Sequence, residues 1–388
     1  MNNKQINNFY IKFKNFFGNN YPSVHEPIFF KNEKKYVKKC IETTFVSSAG
    51  KYVNLFEKKI AAYTKSKYAI ATVNGTAGLH ISYLLAGIKK NDEVLVPSFT
   101  FPATVNALTY CEAIPHFVDI DENSLGIDFV KLNKYLKKNT SFKKNKCFNK
   151  KTKRFIKAIV PVYPYGHPYN ISEIKKIANK YKLKLVEDAA GSLGSFYKGR
   201  HSGTFGLLGV LSFNGNKTIT TGGGGIILTN DLKIAKLAKY LTNVATKKNK
   251  FSNSYEDIGY NYRMPNINAA LGCAQLENVK KIIKMKRNLY FKYKKIINNE
   301  SCYLFKEMKN NKSNYWLHLA ILKSGKARDK ILKKFHKHNI KIIPSWKPLH
   351  DLRQFKIYPK MDLKCTNDIA KRIICLPSSS SKIYKLIH

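Results

Sequence analysis

The chain of 388 residues carries 70 Lys and Arg against 24 Asp and Glu, a formal charge of +46, with 44% hydrophobic residues. That length accommodates a large domain and a smaller one, and the balance of apolar to charged residues excludes a disordered chain. No run approaches the ~18 uninterrupted apolar residues of a membrane helix, and the first twenty residues lack the apolar stretch of a secretory signal.

The seven cysteines are scattered and form no Cys-x-x-Cys pair, which points to reduced thiols in a cytoplasmic protein with no metal site. The charge taken alone would suit a nucleic-acid-binding protein. The lysines are spread along the whole chain, however, and accompany an excess of Asn, Ile, Tyr and Phe, the residues favoured by A- and T-rich coding. No nucleic acid and no membrane is therefore expected among the partners.

In chain order, residues 1–24 read as a polar leader. Helical spacing follows over 31–40, a loop or extended segment over 43–48, and a second helix over 50–63 with Val53, Phe56, Ile60 and Ala61 on one face. A β-prone run at 68–73 ends at Asn74-Gly75-Thr76 and gives way to an Ala- and Leu-rich helix over 77–87. Strands are expected at 93–97, 114–119, 158–163, 184–187, 210–213 and 225–229, and helices at 103–111 and 171–180. Residues 132–154 read as an exposed helix end and a loop. This alternation predicts an α/β fold, a mixed, mostly parallel sheet flanked by helices. Beyond Asp231 the pattern turns helical, notably over 267–295, and the last ~90 residues mix strands and helices. The expected organisation is a leader over 1–24, a large α/β domain over 25–260, and an interface helix with a small C-terminal α+β domain over 261–388.

Four segments carry chemistry. The first is Ser212-Phe213-Asn214-Gly215-Asn216-Lys217, with four glycines following at Gly222 to Gly225. A lysine stands in a turn of small polar residues after an apolar strand, and residues without β-carbons let the backbone approach a ligand. A solvated surface lysine has the same local pattern. A phosphate-binding P-loop does not, because Asn216 stands where that motif has Gly and no helix follows. The second segment, Val186-Glu187-Asp188-Ala189-Ala190, is an apolar strand ending in acid. Ligands bind at the carboxyl ends of strands in open α/β sheets, so Asp188 marks either a site or the cap of a following helix. A carboxylate in a site could keep a pyridine nitrogen protonated and make that ring an electron sink. The third, Asn74-Gly75-Thr76-Ala77-Gly78, joins a strand to a helix and suits a phosphate anion or ordinary capping equally well. The fourth, Pro97-Ser98-Phe99-Thr100-Phe101-Pro102, sets aromatic rings at a strand end, for core packing or for stacking on a flat ring.

In this order the four segments resemble the DegT–StrS family of pyridoxal-phosphate (PLP) dependent sugar-nucleotide aminotransferases, and the run Gly259 to Ala270 extends the likeness. With His25-Glu26-Pro27 and Thr44-Phe45-Val46-Ser47-Ser48, the chain looks nearest the subgroup that aminates the 4-position of UDP-linked 4-keto-6-deoxy-N-acetyl sugars, as in legionaminic acid or bacillosamine routes. The resemblance implies a type I PLP aminotransferase fold and a homodimer with shared active sites. It implies Lys217 as the catalytic residue and Schiff-base anchor of pyridoxal 5'-phosphate, and Asp188 as partner of the pyridine nitrogen. Phe101 would stack on the ring, Gly75, Thr76 and Ser212 would hold the phosphate, and Asn261 would reach the cofactor of the other subunit. Phe45, Ser47 and His350 are expected to touch the nucleotide sugar, with an amino acid, L-glutamate, as donor. Lys217 in place of the His of the dehydratase branch implies transamination. Gly191 departs from the Gln, His or Glu usual three residues after the Asp, which leaves open a non-catalytic, PLP-binding regulatory protein.

Overall fold

Seven short strands build the central sheet: β1 (Tyr68–Thr72), β2 (Glu93–Pro97), β3 (Ile114–Val118), β4 (Ile156–Ile159), β5 (Lys184–Asp188), β6 (Leu208–Ser212) and β7 (Gly225–Thr229). The computed structural model describes residues 3–18, 23–248, 252–297 and 302–379. The strands lie in the order β1-β7-β6-β5-β4-β2-β3, and all run parallel except β7, which is antiparallel to both its neighbours. The mostly parallel sheet expected from the alternating pattern is thus present. Helices cover both faces, so β2 and β7 are buried at every position instead of alternating.

The α-helices among the described residues are α1 (Asn3–Phe17), α2 (Asn32–Glu42), α3 (Lys51–Thr64), α4 (Gly75–Leu85), α5 (Pro102–Tyr110), α6 (Phe129–Asn139), α7 (Ile171–Lys180), α8 (Leu232–Leu241), α9 (Asn266–Glu277), α10 (Val279–Ile296), α11 (Gly325–Lys337) and α12 (Lys364–Ile369). Local chemistry sets where several begin. Asn74, Asp128, Asp231 and Ser324 each accept a backbone N–H of the helix that follows, and Pro102 opens α5 where its missing N–H costs nothing.

A second lobe holds a four-stranded antiparallel sheet of β8 (Cys302–Leu304), β9 (His318–Leu322), β10 (Ile343–Pro344) and β11 (Ile373–Leu376), in the order β8-β9-β11-β10. It shares a core with α1, α10 and α11. Within the expected polar leader, residues 3–17 are the helix α1. Lysines and asparagines dominate its composition, but Ile6, Phe9, Phe13 and Phe17 recur at helical spacing and are buried beside Tyr293 and Phe335. Residues 1, 2 and 19–22 of that leader lie outside the described residues, as do 249–251 of the expected large domain and 298–301 and 380–388 of the expected small one.

Two other stretches differ from expectation. Residues 132–154 complete α6 and then form a hairpin, Thr140–Lys143 against Lys146–Asn149, turned by Lys144 and Asn145 at positive φ. Two central residues at positive φ match the twist of the flanking strands, and buried Cys147 and Phe148, on its two faces, anchor the hairpin despite its polar composition. The helical run over 267–295 is two helices that break at Asn278. The small residues of α9 let it sit closely packed against α2 and α3, whereas α10 presents an apolar stripe. A further apolar cluster joins the lobes, with Phe99, Leu125 and Tyr165 from the first against Trp316, Leu319 and Cys375 from the second. No helix among the described residues is long and apolar enough to cross a membrane.

Candidate active site

Because β1, β2, β5 and β6 run parallel, their carboxyl ends lie along one edge of the sheet, and the four segments singled out from the sequence follow those ends. Neighbouring residues at the end of β5 turn to opposite faces. Glu187 is sealed into the protein by the N–H groups of Gly203, Phe205 and Gly206 at 2.9, 2.6 and 2.6 Å, and by the Tyr163 hydroxyl. Asp188 accepts a hydrogen bond from Thr104 Oγ1 at 2.7 Å and one from the Ala190 N–H at 3.0 Å. Burial pushes its carboxyl up from the ordinary value, against the opposing pull of Thr104, Ala190 and Lys217. No helix lies between β5 and β6, so the alternative reading of Asp188 as a helix cap falls.

Lys217 stands in the connection from β6 to β7, in a turn closed by its own N–H on Asn214 O at 3.0 Å. Its amine rests 3.7 Å from the ring centre of Trp316. Burial draws that amine down to about 8, with Asp188 acting in the other direction. Lys217 and Asp188 feel one another without forming an ion pair. A solvated lysine, the ordinary alternative for such a turn, would not be shifted in this way.

The start of α4 meets the end of β6. Asn74 Oδ1 takes the Ala77 N–H at 2.8 Å, while the first-turn N–H groups of Gly75 and Thr76 have no intrahelical acceptor. A β-carbon at Gly75 would stand 2.9 Å from Ser212 Cβ, so glycine brings the helix end and the Ser212 side chain together. Such an arrangement could cradle an anion. Phe101, a residue 58% exposed, precedes α5 one helical turn before the Thr104 that holds Asp188. PLP requires an anion cradle, a carboxylate for its ring nitrogen and an amine for its carbonyl. The raised, unpaired Asp188, the lowered Lys217 and the cradle at Gly75 fit those three requirements.

One glycine of the run is set against the chain itself. A β-carbon at Gly225 would lie 2.5 Å from Asn74 O, so this glycine admits the chain's own turn into α4. Phe45 and Ser47 lie exposed in the loop between α2 and α3, their carbonyls held by Asn266 at 2.6 and 2.7 Å. Asn261 is exposed and bridges to the backbone of Asn243. His350 is buried, with Nδ1 2.6 Å from Ser98 Oγ. Among the described residues none of these four is hydrogen-bonded to Lys217, Asp188 or the anion cradle. Sequence reasoning missed Thr104 and Trp316. Thr104 could have been found, because it stands on the first turn of a helix that Pro102 opens; nothing local marks Trp316.

The chain matches the model of the DegT/DnrJ/EryC1/StrS aminotransferase family over residues 28–382. It is 36% identical over 362 residues to the GDP-perosamine synthase of Escherichia coli O157:H7, covering 93% of this chain and 94% of that protein. It superposes on the crystal structure of a DegT DnrJ EryC1 StrS aminotransferase from Brucella abortus with a TM-score of 0.82 at 26% identity, over 92% of this chain and 94% of that one. The same fold is found in Helicobacter pylori PseC, an aminotransferase involved in the biosynthesis of pseudoaminic acid, with a TM-score of 0.84 at 24% identity over 95% and 97% of the two chains.

Proposed function

The chain belongs to the DegT/DnrJ/EryC1/StrS family as a PLP-dependent sugar aminotransferase, and from that premise we propose that it carries an amino group from L-glutamate to the 4-keto carbon of a nucleotide-linked 4-keto-6-deoxy sugar of the UDP-N-acetyl type. The product would serve surface-glycan or nonulosonic acid synthesis. The observation that carries this reading is the lowered amine of Lys217 beside the buried, raised carboxyl of Asp188 at one edge of the sheet.

PLP bound at this edge supplies an electron sink and a carbonyl that accepts nitrogen from one substrate and gives it to the next. The rest falls to the chain's own residues. The N–H groups of Gly75 and Thr76 and the hydroxyl of Ser212 would bind the phosphate. Asp188, fixed by Thr104 and the Ala190 N–H, would hold a proton on the pyridine nitrogen. Phe101 would cover one face of the ring and keep water from it. Lys217 Nζ would take the proton from the substrate carbon and return it, first as base and then as acid. An amine drawn down to about 8 is unprotonated in roughly a tenth of molecules at pH 7 and in most above 8, so the steps that need the free base should quicken as pH rises through that value.

The UDP-N-acetyl assignment rests on the likeness of His25-Glu26-Pro27 and residues 44–48 to one subgroup. A GDP-linked sugar is the second reading, because a relative 36% identical is named GDP-perosamine synthase. Given L-glutamate and each keto-sugar in turn, the protein should release a 4-amino sugar nucleotide, identified by mass, from the UDP-linked substrate. Product from the GDP-linked sugar alone would move the assignment to the second reading. A cofactor spectrum that glutamate leaves unchanged would remove glutamate as donor.

The same reading has each site shared between two copies of the chain. Phe45, Ser47, Phe101 and Asn261 are all exposed in the single chain, as residues covered by a partner would be. Lys217→Ala and Asn261→Ala, each inactive alone, should complement when their subunits are mixed. One site then carries both lesions and the other neither, so activity should recover towards about half that of a wild-type dimer. Verified heterodimers that stay inactive would sink the shared site, and an Asn261→Ala protein as active as its parent would take Asn261 out of it.

A further inference from the structure

Gly191 stands where the resemblance led us to expect a side chain that touches the cofactor. A β-carbon at this position would lie 2.4 Å from Cε3 and 2.9 Å from Cζ3 of Trp316. The space is filled by an indole that reaches across from the second lobe. Trp316 makes two contacts with the lysine turn. Its Nε1–H donates to Asn216 O at 2.6 Å, one residue before Lys217, and the face of its ring lies 3.7 Å below Lys217 Nζ.

The indole is itself tightly seated. It is 6% exposed within the apolar cluster that joins the lobes. Its backbone N–H donates to Asn314 Oδ1 at 2.8 Å, and Asn314 Nδ2 donates in turn to Gly191 O at 2.8 Å. Its carbonyl accepts from the buried amine of Lys286 at 3.1 Å. A tryptophan present only to fill the core would need neither a ring face turned to an amine nor a hydrogen bond to the residue before it.

We propose that Trp316 is the positioning residue for Lys217: the indole that Gly191 admits is the resting place of the lysine's free amine and ties the lysine turn to the second lobe. The functional half of this proposal rests on Lys217 being the lysine that works on the cofactor. The ring face attracts an ammonium and offers no acceptor atom, so it holds the charged amine without trapping it. Because Nε1–H pins the turn, the amine can leave the ring by rotating its own side chain, with the backbone fixed.

Trp316 and Trp346 are the two tryptophans of the sequence, so indole emission reads the contact directly. In the full chain freed of cofactor, emission excited beyond tyrosine absorption should change in a step centred near pH 8, the value to which burial draws Lys217. The other ionisable groups nearby are Asp188 and Tyr165, both raised by burial, Cys375, pushed up by burial to about 12, His25, lowered by burial, and Lys286, drawn down by burial to about 7. The step should vanish in Lys217→Met and in Trp316→Phe and persist in Trp346→Phe. Absence of the step in the parent, or its survival in Lys217→Met or Trp316→Phe, would overturn the contact.

In the loaded enzyme, Trp316→Phe should lower kcat about fivefold and Trp316→Leu about thirtyfold, with KM for either substrate moved by less than about twofold. Gly191→Ala should imitate Trp316→Leu by displacing the indole. Added to Trp316→Leu it should cost nothing further, because both changes act through the same ring. Additive losses in that cycle, or losses carried by KM, would overturn the positioning role. Should Trp316→Leu fail to fold, the emission titration and Trp316→Phe still decide. An active Lys217→Ala enzyme in which the parent's emission step is intact would overturn the role of Lys217 and leave the contact standing.

Discussion

Lys217→Ala should lose at least about 10,000-fold in kcat, equivalent to about 5.4 kcal/mol of barrier. On the proposed reading two functions leave together, the covalent anchor of the cofactor and the carrier of the proton. Proton transfer by a placed side chain is by itself worth about 100- to 10,000-fold. Buried Lys286 does not replace it, because its amine is bound to the carbonyls of Trp316 and Ser378. Borohydride treatment of the coloured parent protein should leave a pyridoxyl label on Lys217, read by peptide mass. A label on another lysine would remove the central assignment. Methylamine supplied to Lys217→Ala should restore part of the rate, which a merely collapsed site would not allow.

Asp188→Asn should lose at least about 100-fold in kcat, or about 2.7 kcal/mol, while keeping some cofactor. A neutral amide can still accept the Ala190 N–H and pair with Thr104, so the local structure has no reason to fail. What it cannot do is hold a proton on a pyridine nitrogen. The same substitution should change stability in the opposite sense. In the folded, cofactor-free chain burial raises the Asp188 carboxyl, so the folded state holds its proton to higher pH than the unfolded state does. Stability from this group therefore falls as pH rises through the raised value, and at pH 7 the buried charge is a burden. Asp188→Asn should accordingly raise the Tm of the cofactor-free protein at pH 7 and flatten the dependence of Tm on pH over the carboxylate range. A nearly unchanged rate, or a lower Tm, would show that the carboxylate has a structural role here and not a catalytic one. A gain in stability with a loss of rate is what a charge kept for function produces.

Different physical signals made different parts of the molecule legible. Strands buried on both faces read as apolar runs because helices cover a parallel sheet on both sides. Asn74, Asp188 and Lys217 each stand at or just after the end of such a run, and parallel strands deliver their carboxyl ends to one edge, so locating strand ends brought the candidate residues to that edge. Composition misled where it outweighed period. Over α1 the lysines and asparagines concealed an aromatic stripe, and over 140–149 they concealed a hairpin with buried Cys147 and Phe148. The glycines at 222–225 were visible as a motif, but their neighbour could not be read from it: what passes beside Gly225 is the chain's own Asn74.

By itself the sequence determined the α/β alternation, the strand-end segments and the candidate lysine and aspartate that they carry, because each depends on residues a few positions apart. Only the tertiary structure decided what stands beside them. Trp316 lies 100 residues from the Asn216 carbonyl that its indole binds, and Thr104 lies 84 residues from the carboxylate that it holds. Contacts over such separations are made by the packing of one lobe on another and of a helix on a strand end. No local spacing encodes them, and the missing side chain of Gly191 acquires a meaning only once the indole that fills its place is seen.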